Sequence, residues 1–177
     1  MAESDHKPGD ARARGETIAR ILASDAQPAP APLTAEAYRF LGDTDLPASR
    51  YTCQAFFQQE LSNMWSRCWQ WACREEHLPE VGDHYVYDIG PYSVIVARIA
   101  RDEIKAFINS CTHRGTRLLG DEGVGHGQGF SCPFHGWSWH LNGVLKEVPG
   151  HWDFPHVCEA SHSLQPVACE SWQGFVF

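Results

Sequence analysis

The sequence predicts a mostly β protein with antiparallel strands, preceded by one helix and a flexible leader. Beyond the turn LPEVGD, short runs of β-branched and aromatic residues alternate with turn signals. A single helical pattern precedes them, beginning near Tyr51. Before that, residues 1 to about 33 are rich in Ala, Pro, Asp and Gly. The chain therefore divides into a leader, residues 1–50, and one folded domain, residues 51–177.

The leader is predicted to be flexible because the run DAQPAPAPLT offers little apolar surface to bury. One or two weak helical turns are expected within Gly15 to Ala23. No segment has the apolar stretch of a signal peptide, and none approaches the length of a membrane span. Seven cysteines without a secretory signal indicate a reducing compartment. These features predict a cytoplasmic protein with no membrane partner.

The domain is predicted to begin with a helix over about residues 53–67, with Thr52 as its N-cap. Five apolar side chains recur at the spacing of one helix face, which predicts that they pack in the core. These residues are Phe57, Leu61, Met64, Trp65 and Cys68. The aromatic run CWQWAC is expected to end the helix.

The remainder predicts a β-meander. HYVYDI, YSVIVARIA and IKAFINS are expected to be strands, with GP and RDE as the turns between them. After the Gly-rich loop GDEGVGHGQG, the segments GFSC and WSWHL are short strands and NG is a hairpin turn. Residues 146–165 are expected to be irregular. The final SWQGFVF is again strand-like, and a terminus of this kind predicts that the sequence belongs to something larger.

The charge of the chain limits its partners. The formal net charge is −8, and no block of like charge stands out. Binding to phosphate backbones needs a basic face. The sequence therefore predicts no nucleic-acid partner.

Two Cys–His pairs carry the chemistry of the sequence. The first reads Cys111-Thr-His113, and after an 18-residue spacer the second reads Cys132-Pro-Phe-His135. Each pair follows a predicted strand and runs into a glycine. Two short loops with matching ligands can converge on one metal centre.

Three interpretations of these pairs are open. Zinc accepts two Cys and two His, but the single-residue gap makes it awkward for both side chains of the first pair to reach one ion. In a two-iron centre of the Rieske type, the two Cys bind one iron and the two His bind the other. In the third interpretation no metal is bound. The other five cysteines show no ligand spacing and are expected to be buried small hydrophobes: Cys53, Cys68, Cys73, Cys158 and Cys169.

The pattern CTHRG…CPFHGW resembles the Rieske motif of ring-hydroxylating oxygenase α subunits, with a slightly longer spacer. The likeness extends to MWSRCWQWACREEHLPEVGDHYVYDIG, SVIVARI, AFINSCTHRG and WQGFVF, and covers roughly residues 50–177. The resemblance implies a Rieske-type antiparallel β-sandwich with two cluster-binding loops. It also implies a [2Fe–2S] cluster, with Cys111 and Cys132 on the inner iron and His113 and His135 on the outer iron.

The resemblance further implies cofactor contacts by the residues that follow each histidine, namely Arg114, Gly136 and Trp137. Backbone N–H groups in HRG and FHGW are expected to donate to cluster sulfurs, and Trp137 to pack over the cluster. Arg114 is either a solvated charge or a contact to a partner. Thr116 and Phe134 stand where respiratory Rieske proteins carry a disulfide. This difference predicts a potential toward the low end of the range of roughly −150 to +300 mV.

The function implied by the resemblance is electron relay within an oxidoreductase. The donor would be a ferredoxin or a flavin reductase. The acceptor would be a mononuclear Fe(II) site in a catalytic domain of the same or a neighbouring subunit, which this sequence does not contain. Full-length relatives commonly form trimers and act as monooxygenases or dioxygenases on aromatic or other small organic substrates. No catalytic residue is expected in this chain. The alternatives are a stand-alone Rieske ferredoxin-like carrier and a zinc-stabilised binding module.

Overall fold

The computed structural model describes residues 18–24, 26–28, 44–120 and 123–177. The chain divides into two units, Met1–Thr52 and Cys53–Phe177. None of the helices in the described residues is both long enough and apolar enough to span a bilayer.

The first unit contains helix α1, Ile18–Ser24, and helix α2, Ser49–Thr52. Helix α1 overlaps the segment in which the sequence predicts weak helical turns. Most of the predicted flexible leader, namely residues 1–17, 25 and 29–43, lies outside the described residues.

The second unit begins with helix α3, Gln54–Glu60, which continues into a π-helical turn, Leu61–Trp65. The N-cap of α3 is Cys53, in an extended conformation and without a side-chain capping bond. The expected N-cap Thr52 is therefore wrong. Its hydroxyl instead donates to the carbonyl of Ala48, the residue before α2, at 3.4 Å.

The predicted apolar stripe does not form a buried face. Leu61 is buried, but Phe57 and Met64 are 42% and 43% exposed, and Cys68 is also exposed. A π turn is wider than an α turn, so the 3.6-residue spacing on which the stripe depends is lost after Glu60. Leu61 packs where Gly90 leaves room, since a Cβ there would lie 2.6 Å from the Leu61 Cδ2 atom.

Three antiparallel sheets form the rest of the second unit. The strands are β1 Cys73–Arg74, β2 Asp83–Ile89, β3 Tyr92–Ala100, β4 Glu103–Ile108, β5 Gly123–His126, β6 Gly129–Ser131, β7 Ser138–His140, β8 Leu145–Glu147, β9 Pro166–Val167, β10 Ser171–Trp172 and β11 Phe175–Val176. The strand orders in the three sheets are β1-β11-β10, β5-β2-β3-β4-β9 and β6-β7-β8. The described chain also contains helix α4, Glu159–His162, and 3-10 turns at Glu75–His77 and His151–Asp153.

The five-stranded sheet is buried on both faces. Along β3, Ile95 and Ala97 pack in one hydrophobic cluster, and Val96 between them packs in another. This alternation follows from the two-residue period of a strand, which sends successive side chains to opposite faces. The cluster of Ile95 and Ala97 also holds both cysteines of the sequence motif, Cys111 and Cys132. The motif therefore lies on one face of a sheet that is packed from both sides.

The predicted fold class, a mostly β antiparallel sandwich, is confirmed. The NG turn is confirmed as the hairpin between β7 and β8, with Gly143 at φ +81°. The structure differs from the prediction at strand β5, because the sequence assigns its residues to a Gly-rich loop. It pairs with β2, and the ring of His84 lies where Gly125 has no Cβ. Strand β8 also extends into the segment expected to be irregular.

Candidate metal centre

Two loops carry the Cys–His pairs, and both are on the same side of the five-stranded sheet. The first loop, residues 109–119, follows β4. The second loop, residues 132–137, connects β6 to β7.

The first loop folds back on its cysteine. The N–H of Gly115 donates to the carbonyl of Cys111 at 2.9 Å, and the N–H of Cys111 donates to the carbonyl of Thr116 at 2.8 Å. Gly115 has a φ of +76°, a conformation that only glycine adopts at little cost. The chain thus makes a tight turn that presents the side chains between Cys111 and Gly115.

The second loop repeats this construction at the same spacing. The N–H of Gly136 donates to the carbonyl of Cys132 at 3.0 Å, and the N–H of Cys132 donates to the carbonyl of Trp137 at 2.7 Å. Gly136 has a φ of +73°. The two loops are therefore built alike, although they differ by one residue in the Cys–His spacing.

The two thiols meet beneath the loops. Cys111 and Cys132 are 4% and 3% exposed, and they are close enough for each thiol to shift the pKa of the other. The hydroxyl of Thr116 also helps to lower the pKa of the Cys132 thiol. Two adjacent sulfurs on separate loops are a suitable ligand pair for one metal ion.

Backbone N–H groups of the first loop point at the Cys111 sulfur. Burial raises the pKa of the Cys111 thiol, and the N–H groups of His113 and Arg114 act in the opposite direction without cancelling that effect. The bonds favour the thiolate, which is the form that binds metal.

The second loop makes the same contacts to its own cysteine. Burial raises the pKa of the Cys132 thiol, but the N–H groups of His135 and Phe134, together with the Cys111 thiol and the Thr116 hydroxyl, outweigh it, so that the pKa lies below its usual value. Two backbone N–H groups therefore act on the sulfur of each cysteine. The same bonds would act on the sulfurs of a metal-bound centre.

The two imidazoles of the Cys–His pairs contact each other edge to face. The ring centroids of His113 and His135 are 5.0 Å apart, at an angle of 63°. His113 stacks on the buried indole of Trp137 at 4.6 Å and 7°. Burial lowers the pKa of His113, and the nearby His135 and Arg114 lower it further. A neutral imidazole is the form that binds metal.

The Nδ1 atom of His113 is buried and has no hydrogen-bond partner in the described part of the chain. A buried polar atom left unpaired costs about 1–3 kcal/mol. A metal bound at Nδ1 removes that cost, so this atom fits a ligand role. With the two buried thiols and the adjacent His135, the donor set fits a [2Fe–2S] cluster of the Rieske type.

The donors come in pairs rather than as a set of four around one ion. Across residues 44–120 and 123–177, no three His, Cys, Asp or Glu side chains are placed to share a metal ion. Paired donors match the two-iron interpretation, in which each iron takes two protein ligands.

The residues next to the Cys–His pairs differ in how far they are buried. Trp137 is 2% exposed and packs against His113. The side chain of Arg114 is exposed, while its backbone N–H faces Cys111. Phe134 is 62% exposed beside His135, with the ring centroids 3.9 Å apart. The exposed end of the site is thus aromatic.

One contact that supports the site cannot be found from the motif. The carbonyl of His162 accepts bonds from the Thr112 hydroxyl at 2.8 Å and from the Trp139 indole N–H at 2.9 Å. It therefore joins the first loop to the strand that follows the second loop. Since His162 is 50 residues away from Thr112, no local signal predicts this junction.

The remaining cysteines only partly match their prediction. Cys73 is buried and Cys169 partly so, and burial raises the pKa of these thiols to about 12 and about 11. Cys53, Cys68 and Cys158 are exposed, so the prediction of burial is wrong for them.

Comparison with known proteins agrees with this geometry. The family model described as "Rieske [2Fe-2S] domain" matches residues 68–157. Biphenyl 2,3-dioxygenase subunit alpha of Rhodococcus jostii (strain RHA1) is 32% identical over 128 residues, which cover 72% of this chain and 28% of that protein. The large oxygenase component of the naphthalene 1,2-dioxygenase system of Pseudomonas putida is 35% identical over 127 residues, with 70% and 28% covered.

A solved structure shares the fold. The crystal structure of naphthalene 1,2-dioxygenase from Rhodococcus sp. bound to indole matches with a TM-score of 0.68 at 28% identity, covering 74% of this chain and 30% of that chain. The chain belongs to the Rieske [2Fe–2S] domain family, and its similarity is to the Rieske portion of oxygenase α subunits. It spans about 28% of the length of the two dioxygenase subunits.

Proposed function

We propose that Cys111 and Cys132 bind one iron of a [2Fe–2S] cluster and that His113 and His135 bind the other. The observation that carries this proposal is the construction of the site: two loops with the same backbone turn, each with one buried thiol and one adjacent imidazole. When bound, such a cluster supplies one-electron redox chemistry.

The side chains of this chain divide the work between the two ends of the site. The thiol end is buried in the hydrophobic cluster, which keeps water from the sulfurs. The imidazole end includes the exposed His135, beside the exposed ring of Phe134. A redox partner therefore reaches the centre from the imidazole end, where a ring N–H can donate to it.

The whole protein of which this domain is typical would be an oxidoreductase that hydroxylates an aromatic or other small organic substrate. Support comes from the relatives, named for biphenyl and naphthalene dioxygenases. The domain would relay electrons from a ferredoxin or flavin reductase to a mononuclear iron in a catalytic domain. The full-length assembly would be a homotrimer in the cytoplasm.

Metal and sulfide analysis tests the cofactor. Protein purified without oxygen should contain about two iron and two acid-labile sulfide per chain, as a [2Fe–2S] cluster requires. It should be red-brown, and its reduced form should give an electron-spin resonance signal. Stoichiometric zinc without sulfide would contradict the proposal.

A kinetic experiment tests the relay. A reduced ferredoxin, and separately a flavin reductase, is mixed with the oxidised protein while the visible absorbance of the cluster is followed. The relay predicts bleaching by at least one of these donors with second-order kinetics. Failure of both classes of donor to reduce a chemically reducible cluster would contradict it.

A further inference from the structure

The two ligand loops differ in how their ends are held. The second loop is closed by strand pairing, because β6 and β7 pair directly, with Ser131 opposite Ser138. The first loop lacks this support: β4, which leads into it, pairs with β3 and β9, and β5, which follows it, pairs with β2. Something other than a hairpin must hold the end of the first loop.

The side chain of Asn109 occupies that position. Its Oδ1 atom accepts from the N–H groups of Leu118 at 3.1 Å and Leu119 at 2.9 Å. Its Nδ2 atom donates to the carbonyl of Leu119 at 2.8 Å and to the Ser93 hydroxyl at 3.0 Å. This amide thus uses two acceptor sites and both donors, its full capacity. Three of the four bonds join the start of the loop to its end.

Asn109 is also anchored to the sheet and buried. Its own N–H donates to the carbonyl of Ser93 at 2.9 Å, which fixes the residue to β3. Asn109 is 4% exposed, and among the described residues it is the one polar residue that is buried. A buried amide is retained at such a position only when its hydrogen bonds are made, and here all of them are.

A salt bridge supports the same end of the loop from the outside. The Nε atom of Arg117 donates to the carbonyl of Leu119 at 2.7 Å, and its Nη2 atom pairs with Asp88 at 2.8 Å. Asp88 lies on β2, so the end of the loop is tied to two strands of the five-stranded sheet. Because Arg117 and Asp88 are partly exposed, their salt bridge stabilises the end of the loop less than the buried amide of Asn109 does.

We propose that Asn109 is a positioning residue for the metal centre. Its side chain replaces the missing strand pairing and sets the position of the first loop relative to the second. In that position the N–H groups of His113 and Arg114 point at the Cys111 sulfur, and His113 stacks on Trp137. The effect on the cluster rests on the proposed function, whereas the effect on the loop does not.

The loop effect is tested in the metal-free full chain by amide hydrogen exchange, followed by NMR. Asn109→Leu removes all four side-chain bonds, and Asn109→Asp keeps only an oxygen that can accept from Leu118 and Leu119. Asn142→Asp is the matched control, since Asn142 Oδ1 accepts from the Val144 N–H in the β7–β8 hairpin. In Asn109→Leu, exchange at Leu118 and Leu119 should accelerate about tenfold, as expected for a lost buried hydrogen bond.

In the same experiment, the amides of the second loop should exchange as in the wild type, and Asn109→Asp should show a smaller acceleration. Unchanged exchange at Leu118 and Leu119 would overturn the proposal. Equal acceleration throughout the domain, or failure of both variants to fold, would overturn it too, because Asn109 would then be a general core residue.

The effect on the cluster is tested by the reduction potential and the electron-spin resonance signal of the loaded protein. Both variants should lower the potential by more than Asn142→Asp does, because weaker N–H bonds to the Cys111 sulfur favour the oxidised cluster. Unchanged potentials in folded, loaded variants would overturn this part. A wild-type protein that binds no cluster would instead refute the proposed function and leave the exchange result standing.

Discussion

The two ligand loops are alike inside and different at their ends. In each loop the carbonyl of the cysteine accepts from the N–H of a left-handed glycine four residues later. The N–H of the same cysteine donates to the carbonyl of the residue after that glycine. The second loop sits in a hairpin and takes its position from paired strands. The first loop takes its position from side chains, chiefly Asn109 and Thr112. Equivalent ligands can therefore depend on unlike supports.

The difference shows which substitutions should affect both loops and which only one. Changes to the shared interior, the thiols and the glycines, should have matched effects in the two loops. Changes to the side-chain supports should affect the first loop alone.

The largest effect is expected for Cys111→Ser and Cys132→Ser. Each removes one of two adjacent buried sulfurs, so both variants should lose the cluster entirely. Iron and sulfide analysis of the purified variants measures this. The control is Cys158→Ser, at an exposed cysteine outside the loops, which should retain full content. Retention of the cluster in either loop variant, or loss in the control, would count against the ligand assignment.

His135→Cys should keep a cluster but lower its reduction potential, because a thiolate adds negative charge at the iron. The potential is measured by redox titration with electron-spin resonance. His151→Cys, an exposed change outside both loops, should leave the potential unchanged. A potential that stays the same or rises in His135→Cys would show that His135 is not a ligand.

Gly115→Ala and Gly136→Ala should each lower the free energy of unfolding by about 1–2 kcal/mol, the cost of a left-handed conformation for alanine. The two costs should be similar, because the added Cβ would lie 3.9 Å from Ser110 Oγ in one loop and 3.4 Å from Pro149 Cγ in the other. Gly120→Ala, where no atom lies within 4 Å of the Cβ and φ is not positive, should cost little. Denaturant unfolding of the metal-free variants measures these free energies. Strongly unequal losses for Gly115→Ala and Gly136→Ala would show that the two loops are not equivalent.

Thr112→Val should have the smallest effect, a loss of about 0.5–1.5 kcal/mol in the free energy of unfolding. It removes one bond to the His162 carbonyl, which still accepts from Trp139. Amide exchange should rise in the first loop and not in the second. Ser66→Ala, which removes a 3.4 Å bond of an exposed hydroxyl, is the control. An equal response of both loops would mean that the His162 junction serves the site as a whole.

The sequence predicts the parts of this molecule that local chemistry decides. Strands β2, β3 and β4 are β-branched and aromatic, and they lie where the alternation predicts. The two Cys–His pairs are also visible in the sequence, and their assignment as cluster ligands, which the resemblance implies, stays a prediction. Strand β5 escapes prediction because its four residues, GVGH, have little strand preference of their own. Their pairing with β2 comes from tertiary structure.

The features that the sequence does not predict arise from a local irregularity or from distant contacts. The apolar stripe from Phe57 to Cys68 assumes a regular α-helix, and the π turn at Leu61–Trp65 breaks its register. The supports of the first loop join Asn109 to Ser93 and Thr112 to His162, pairs that are 16 and 50 residues apart. A motif points to candidate ligands, but it carries no information about such distant partners.

The most direct test of the account is to count the nitrogen atoms coupled to the reduced cluster. Pulsed electron-spin resonance with ¹⁵N-labelled histidine measures this in the wild type, in His113→Cys and in His135→Cys. The account predicts two coupled imidazole nitrogens in the wild type, one from each loop, and one in each variant. No strongly coupled imidazole nitrogen in the wild type, or an unchanged count in either variant, would contradict it.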